Sequence, residues 1–320
     1  MNRLNRTDGD GQDDEAGDSD EIIRCVVAGL PVRIVAAVTT GVAREAARRH
    51  DAGPAAAMAL GRGLTAGLLL ATLTKDDERV TLQVLGNGPL GGITVDANAA
   101  GTARAYVKHP EAGRIDEASP RPSLGGAVGG SGLVSVIRDV GLRENFSGQT
   151  AIRNGEIDQD VERYLTDSEQ IESALACDTI IRADGGITAS AGMLVQALPG
   201  SEGAIEVVIA RALFAEGALA QAIGAGVPAS GEALMAAVFA GRLGQIQVLD
   251  RRPVRFFCPC SRQRAGASLA MLGEADLSEM ILDDGKAEVI CNFCRARYDF
   301  DDEALERIRR ETRGTAGPAS

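Results

Sequence analysis

The sequence has no tryptophan, and tyrosine, phenylalanine and tryptophan together make up only 3% of its 320 residues. Any core must therefore be assembled from Ala, Val, Leu and Ile. Positive charge is also scarce: the formal net charge is -12, which argues against nucleic acid or an anionic membrane as a partner. No uninterrupted apolar run reaches the roughly 18 residues of a membrane span. The nearest, AAAMALGRGLTAGLLLATL, carries Arg62 and three glycines and reads as a buried helix whose two faces both need cover. The first residues lack the apolar stretch of a secretory signal, so a cytoplasmic protein with reduced cysteines is expected.

Conventional catalytic signatures are missing as well. There is no GxxxxGK[ST] phosphate loop and no GxSxG elbow. The two histidines are His50, at a probable helix end where a cation suits the dipole, and His109, in a KHPE turn. Neither is placed as a general base for a nucleophile, and the chain is not expected to be an enzyme. GNGPLG (86–91) matches a dinucleotide fingerprint, but strand-like residues follow it where a helix would have to open, so it reads as a hairpin turn.

What remains is a chain long enough for a sizeable core and about two domains. Residues 1–21 read as a disordered acidic tail, since residues 8–21 hold no Lys or Arg. Residues 22–200 read as an α+β domain of β-sheets packed around a central buried helix. It comprises VRIVAAVTT, a helix from Pro54, the strands RVTLQVL to GQTAIRN, a helix over IDQDVERYLTDSEQIESAL, and two strands about an Asp184–Gly185 turn. Residues 201–255 read as a metastable helical linker, rich in Ala and weakened by glycines. Residues 256–310 form a unit small enough to need a metal or disulfide, and residues 311–320 read as a disordered tail.

Four of the six cysteines lie in that small unit. Cys258 and Cys260 make a CxC pair, and Cys291 and Cys294 make a CxxC pair. Two close thiol pairs can supply all four ligands of a structural zinc ion, closed to substrate. Cys25 and Cys177 sit in apolar runs and read as buried structural thiols. A zinc ribbon gripping nucleic acid is the alternative, but residues 251–320 carry twelve basic and twelve acidic side chains and lack a basic footprint. A thiol oxidoreductase using Cys291 and Cys294 would need a thioredoxin-like βαβ setting, which is absent.

The C-terminal pattern resembles the redox switch of the redox-regulated heat-shock chaperones, the 33 kDa chaperonins. Cys258, Cys260, Ser261, Arg264, Cys291, Cys294, Tyr298 and Phe300 match, and GNGPLGGITVDA, YLTDSEQ and GMLVQALPG extend the likeness upstream. The resemblance implies an ATP-independent holdase for unfolding client proteins. In the reduced, inactive form one zinc ion sits on the four cysteines. Oxidation pairs Cys258–Cys260 and Cys291–Cys294, releases zinc, unfolds switch and linker, and favours a homodimer. Pro259 departs from an easy fit: it has no N–H to offer a thiolate and restricts Cys258 to extended conformations.

Overall fold

A computed structural model describes residues 20–75, 78–115, 121–139, 141, 145–182, 185–201, 203–226 and 230–315. Residues 1–19 and 316–320 of the expected tails, and Asp184 of the expected turn, lie outside the described residues.

The chain opens with β1 (Glu21–Val27), β2 (Val32–Val38), α1 (Thr40–Arg49) and α2 (Pro54–Ala71). An antiparallel run follows: β3 (Arg79–Gly86), β4 (Ile93–Asn98) and β5 (Thr102–Val107), then a single helical turn α3 (Gly125–Val128), β6 (Gly132–Asp139) and β7 (Phe146–Ala151). Next come α4 (Asp158–Asp167), β8 (Ser173–Ile181) and β9 (Ile187–Ala197). Three short helices succeed them, α5 (Ile205–Ala215), α6 (Ala218–Gly224) and α7 (Gly231–Phe239), and then β10 (Ile246–Pro253) and β11 (Arg255–Phe256). The C-terminal unit is α8 (Arg262–Ala270), α9 (Glu274–Asp283), a hairpin of β12 (Lys286–Ile290) and β13 (Arg297–Asp301), and α10 (Asp302–Thr315).

The strands form a five-stranded sheet in the order β10-β1-β2-β9-β8 and a six-stranded sheet in the order β11-β5-β4-β3-β6-β7. Helix α2 lies between them with every residue after Pro54 buried. It is long and apolar enough to cross a membrane, yet here the two sheets cover it. Its glycines permit that double contact. A Cβ at Gly61 would stand 2.3 Å from Thr179 Oγ1 on β8, and one at Gly67 would stand 2.7 Å from Val95 on β4. The one charge in the helix, Arg62, is fully buried and paired with two carboxylates through its terminal nitrogens. Its Nη1 donates to Glu156 and its Nη2 to Asp178, each at 2.8 Å, while Arg121 bonds Asp178 and Asp158 from the other side. Pairing of this kind is what makes a buried charge tolerable.

A second core covers the outer face of the five-stranded sheet. Val207, Leu213, Ile223, Leu234, Met235 and Phe239 from α5–α7 pack on Ile23, Cys25, Ile34, Ala36, Met193 and Val195. A third and smaller one holds the C-terminal unit together.

Four boundaries differ from expectation. Asp20 and Glu21 belong to the core rather than the acidic tail: the Asp20 carboxylate accepts the Gly41 and Val42 N–H groups at the start of α1 (2.9 and 2.7 Å), and Glu21 opens β1. The helix expected over 157–175 stops at Asp167, because Ser173–Ile181 is needed as a partner for β9. Residues 201–243 are helical in pieces, but the end of the linker is strand: β10 pairs with β1, and β11 pairs with β5. At the C-terminus α10 runs on to Thr315, past the expected frayed end. The GNGPLG turn does join two antiparallel strands, β3 and β4, as a hairpin.

The close approach at Gly61 yields a test. Gly61→Ala is expected to destabilise the fold by about 1–3 kcal/mol through overpacking against Thr179, whereas Gly126→Ala, which meets nothing within 4 Å, should leave the denaturant midpoint unchanged. Equal midpoints for the two variants would refute the sandwiched packing.

Candidate metal centre

The CxC hook follows β11 directly, and Ser261 then caps α8, its Oγ accepting the Arg264 N–H at 3.2 Å. A serine at this position satisfies a helix donor that would otherwise be orphaned, so the Ser and Arg of the motif serve the helix that anchors the hook. The CxxC hook is the turn of the β12–β13 hairpin. The Cys291 N–H donates to Ala296 O and the Arg295 N–H to Cys291 O, both at 2.9 Å. Arg295 closes the turn at φ +61°, a left-handed conformation more often filled by Gly or Asn. Phe300, on β13, is buried in the small core with Arg262 stacked over it at 4.5 Å.

These elements bring all four thiols together. The Sγ atoms of Cys258, Cys260, Cys291 and Cys294 lie within 4.8 Å of one another. Two distances bridge the hooks: Cys258 to Cys291 at 3.7 Å and Cys260 to Cys294 at 3.2 Å. A tetrahedral zinc ion with bonds near 2.3 Å has sulfur–sulfur edges of about 3.8 Å. All four are free thiols, so the donor set and its size fit a metal ion that prefers soft ligands.

Neighbouring donors face the sulfurs. Arg104 on β5 gives its Nη1 hydrogen to Cys258 Sγ at 3.2 Å, and the Tyr298 hydroxyl donates to Cys260 Sγ at 3.1 Å. Burial opposes ionisation of Cys258, but Arg104 and the backbone N–H of Cys260 outweigh it and bring the thiol down to about 7. The donor that Pro259 lacks is thus supplied one residue later. Burial pushes Cys260 and Cys294 the other way. The bond to Cys260 raises the Tyr298 hydroxyl above its ordinary value.

The module is seated on the outer face of the six-stranded sheet and the end of α1. His50 caps α1, but it is buried there and its Nε2 pairs with Phe293 O at 3.0 Å. Burial lowers its pKa against the pull of the Phe293 and Ala105 carbonyls, so the imidazole favours its neutral form and does not serve the helix end as the expected cation. His109 lies in its turn and joins no ligand cluster among the described residues. Arg104, Asp96, Arg49 and Phe293 escaped the sequence reading. Strand alternation does put Arg104 and Tyr106 on one face, and a ring inside CNFC calls for a surface to lie on.

Cys25 and Cys177 are buried in the two larger cores. Burial raises Cys25 to about 11 and Cys177 well above its ordinary value.

A layered α+β core carrying a small four-thiol module defines a protein able to hold a metal ion in its C-terminal hooks. Comparison with known proteins narrows this. The model of the Hsp33 protein family matches residues 20–301. The 33 kDa chaperonin of Listeria monocytogenes is 38% identical over 303 residues, 92% of this chain and 100% of its own length. That of Bacillus subtilis is 36% identical over 293 residues, covering 92% of this chain and 99% of its own. The crystal structure of the 33 kDa chaperonin (heat shock protein 33 homolog) of Thermotoga maritima superposes with a TM-score of 0.77 at 27% identity, over 92% of this chain and 99% of that one. The chain belongs to the Hsp33 family of chaperones.

The thiols separate into two classes, and alkylation can tell them apart. In the folded chain near neutral pH, iodoacetamide should leave Cys25 and Cys177 unmodified, because only the thiolate reacts. Modification of Cys25 should rise as the pH approaches about 11. Peptide mass mapping reads the outcome, and rapid labelling of either residue in the native chain at neutral pH would contradict the assignment.

Proposed function

We propose that this chaperone is a redox-switched holdase, inactive while Cys258, Cys260, Cys291 and Cys294 hold one zinc ion and active once they are oxidised. The observation that carries it is the set of four free thiols within 4.8 Å in a unit with a very small core. That core is Ala265, Leu269, Leu277, Ala287, Phe300, Ala304, Leu305 and Ile308, three of them alanines. Zinc, when bound, supplies the cross-link between the hooks, worth about 10–16 kcal/mol of apparent binding energy in small domains. Whole domains are stable by only about 5–15 kcal/mol.

Oxidation withdraws the ligands. Each pair, Cys258–Cys260 and Cys291–Cys294, loses two electrons and gains an S–S bond. One molecule of hydrogen peroxide per pair accepts those electrons, its O–O bond breaks, and two waters form with protons from the thiols or solvent. A disulfide offers no thiolate to a metal. The loops closed are very short, so the entropy model credits each new bond with only about 2 kcal/mol. The module therefore unfolds.

The helices α5–α7 come next. They span eleven, seven and nine residues, shorter than the roughly 12–15 at which isolated helices become marginal. Their departure would bare Ile23, Ile34, Met193 and Val195 on the outer face of the five-stranded sheet, an apolar surface suited to unfolded segments of client proteins. In this reading the protein works in the cytoplasm, needs no ATP, and dimerises when oxidised. Family membership favours it over a nucleic-acid-binding zinc ribbon.

Metal analysis of the reduced chain is expected to give one zinc per chain, lost together with four titratable thiols on treatment with hypochlorite or warm peroxide. Suppression of client aggregation should appear over the same interval. Full holdase activity in reductant with zinc retained would overturn the switch.

A further inference from the structure

We propose that Arg104 is the positioning residue through which the N-terminal domain grips the four-cysteine site, so that docking of the module and its hold on the metal form one coupled equilibrium. The inference rests on the zinc reading above and adds a component from outside the cysteine unit.

The guanidinium sits at a junction of three partners. Its Nε and Nη2 hydrogens go to Asp96 Oδ2 at 2.9 and 2.7 Å. Its Nη1 hydrogen goes to Cys258 Sγ at 3.2 Å. Its Cζ lies 4.0 Å from the centre of the Phe293 ring. Asp96 is buried and also takes Arg79 at 3.0 Å, so the fork is aimed before the module arrives. Cys258 belongs to the first hook and Phe293 to the second. One side chain of the N-terminal domain thus touches both halves of the metal site.

The other contacts across the seam reach one hook or one strand each, among them His50 Nε2 on Phe293 O at 3.0 Å and Arg49 over the Phe256 ring at 4.8 Å. Strand β11 pairs with β5 at two positions only. Arg49 donates to Cys294 O at 3.3 Å, and Tyr106 meets the Phe293 ring edge-on at 5.0 Å. Beside these contacts a groove of about 570 Å³ separates the knuckle from the sheet, with Gln83, Lys108, Asn292 and Arg295 in its lining. A fixed cation against a thiolate in such a partly dry seam is a charge-assisted bond, stronger than one between neutral groups. A disulfide sulfur carries no charge, so the bond fails when Cys258 is oxidised, with electrons and protons accounted for as above. By linkage, whatever the docked Arg104 adds to metal affinity, bound metal returns to docking.

The test uses the full-length reduced chain with zinc itself as the ligand. Zinc affinity is measured by chelator competition. Docking is read by hydrogen exchange at the Arg255 and Phe257 amides, which donate to Gly101 O and Ala103 O at 3.0 and 3.1 Å. Arg104→Met is expected to weaken zinc binding about 10–100-fold, the usual cost of removing an outer partner of a metal site, and to speed exchange at both amides. Arg104→Lys should fall between, since an ammonium keeps the charge but cannot fork to two partners. Arg163→Met, whose guanidinium pairs with Asp167 at 2.8 Å and touches neither Asp96 nor a cysteine, should change neither reading. If Arg104→Met fails to fold, Arg104→Lys carries the same two measurements. Wild-type affinity in the Arg104 variants, or weakened affinity with unchanged exchange, overturns the proposal while leaving the zinc reading intact. A wild-type chain that binds no zinc overturns both.

Discussion

Four sulfurs from two segments thirty residues apart meet within 4.8 Å, and that convergence is the constraint on which the C-terminal unit depends. As thiolates they repel one another, so something positive must sit among or beside them. The chain offers Arg104, the backbone N–H groups of Cys260 and Ala296, and the Tyr298 hydroxyl. These donors orient and partly neutralise the sulfurs, but each faces a single one. A central cation is the element that can satisfy all four at once. The small alanine-rich core around Phe300 and Leu305 gives the module little buried apolar surface to stand on, which is where a bound ion would add a cross-link.

The larger domain solves the opposite problem with an excess of apolar cover. Helix α2 is enclosed on both faces, and its glycines let β4 and β8 come closer than any side chain would permit. The cost of interrupting it with Arg62 is met by Glu156 and Asp178, which are themselves tied to Ser123 and Arg121. Such a network penalises removal of any single member, because the partner left behind is a buried charge. The N-terminal domain is accordingly held at its centre by both the packing and the paired charge of α2.

Much of this was legible in the sequence because it is carried by local pattern. The buried helix showed in the apolar run of 55–73, the hairpin in GNGPLG, and the four-thiol cluster in the spacing of Cys258, Cys260, Cys291 and Cys294. What escaped depends on partners distant along the chain. Residues 173–175 look helical by composition and become strand because β9 lies alongside. Asp20 looks like the end of an acidic tail until α1 is folded beneath it. Arg104 is an ordinary strand arginine until Cys258, 154 positions later, arrives at its guanidinium. No periodicity encodes contacts of that kind, whereas a hook of two cysteines encodes its own.

The placement of the linker adds a mechanical consequence. The chain passes from α7 into β10 at the edge of the five-stranded sheet, then within two residues into β11 at the edge of the six-stranded sheet, and then into the first hook. Val254, between those strands, is buried in the main core with its N–H on Asp20 O at 2.9 Å. The metal site and the linker helices are therefore joined through a segment that stitches both sheets, and neither is free to move without loading it. If the proposed switch released the module, the two-residue pairing of β11 would go first, since it is the shortest. Strand β10 has seven paired positions on β1 and resists longer. On the proposed switch, loss of order would thus be graded along the chain from the hooks back toward α7, leaving the core around α2 in place.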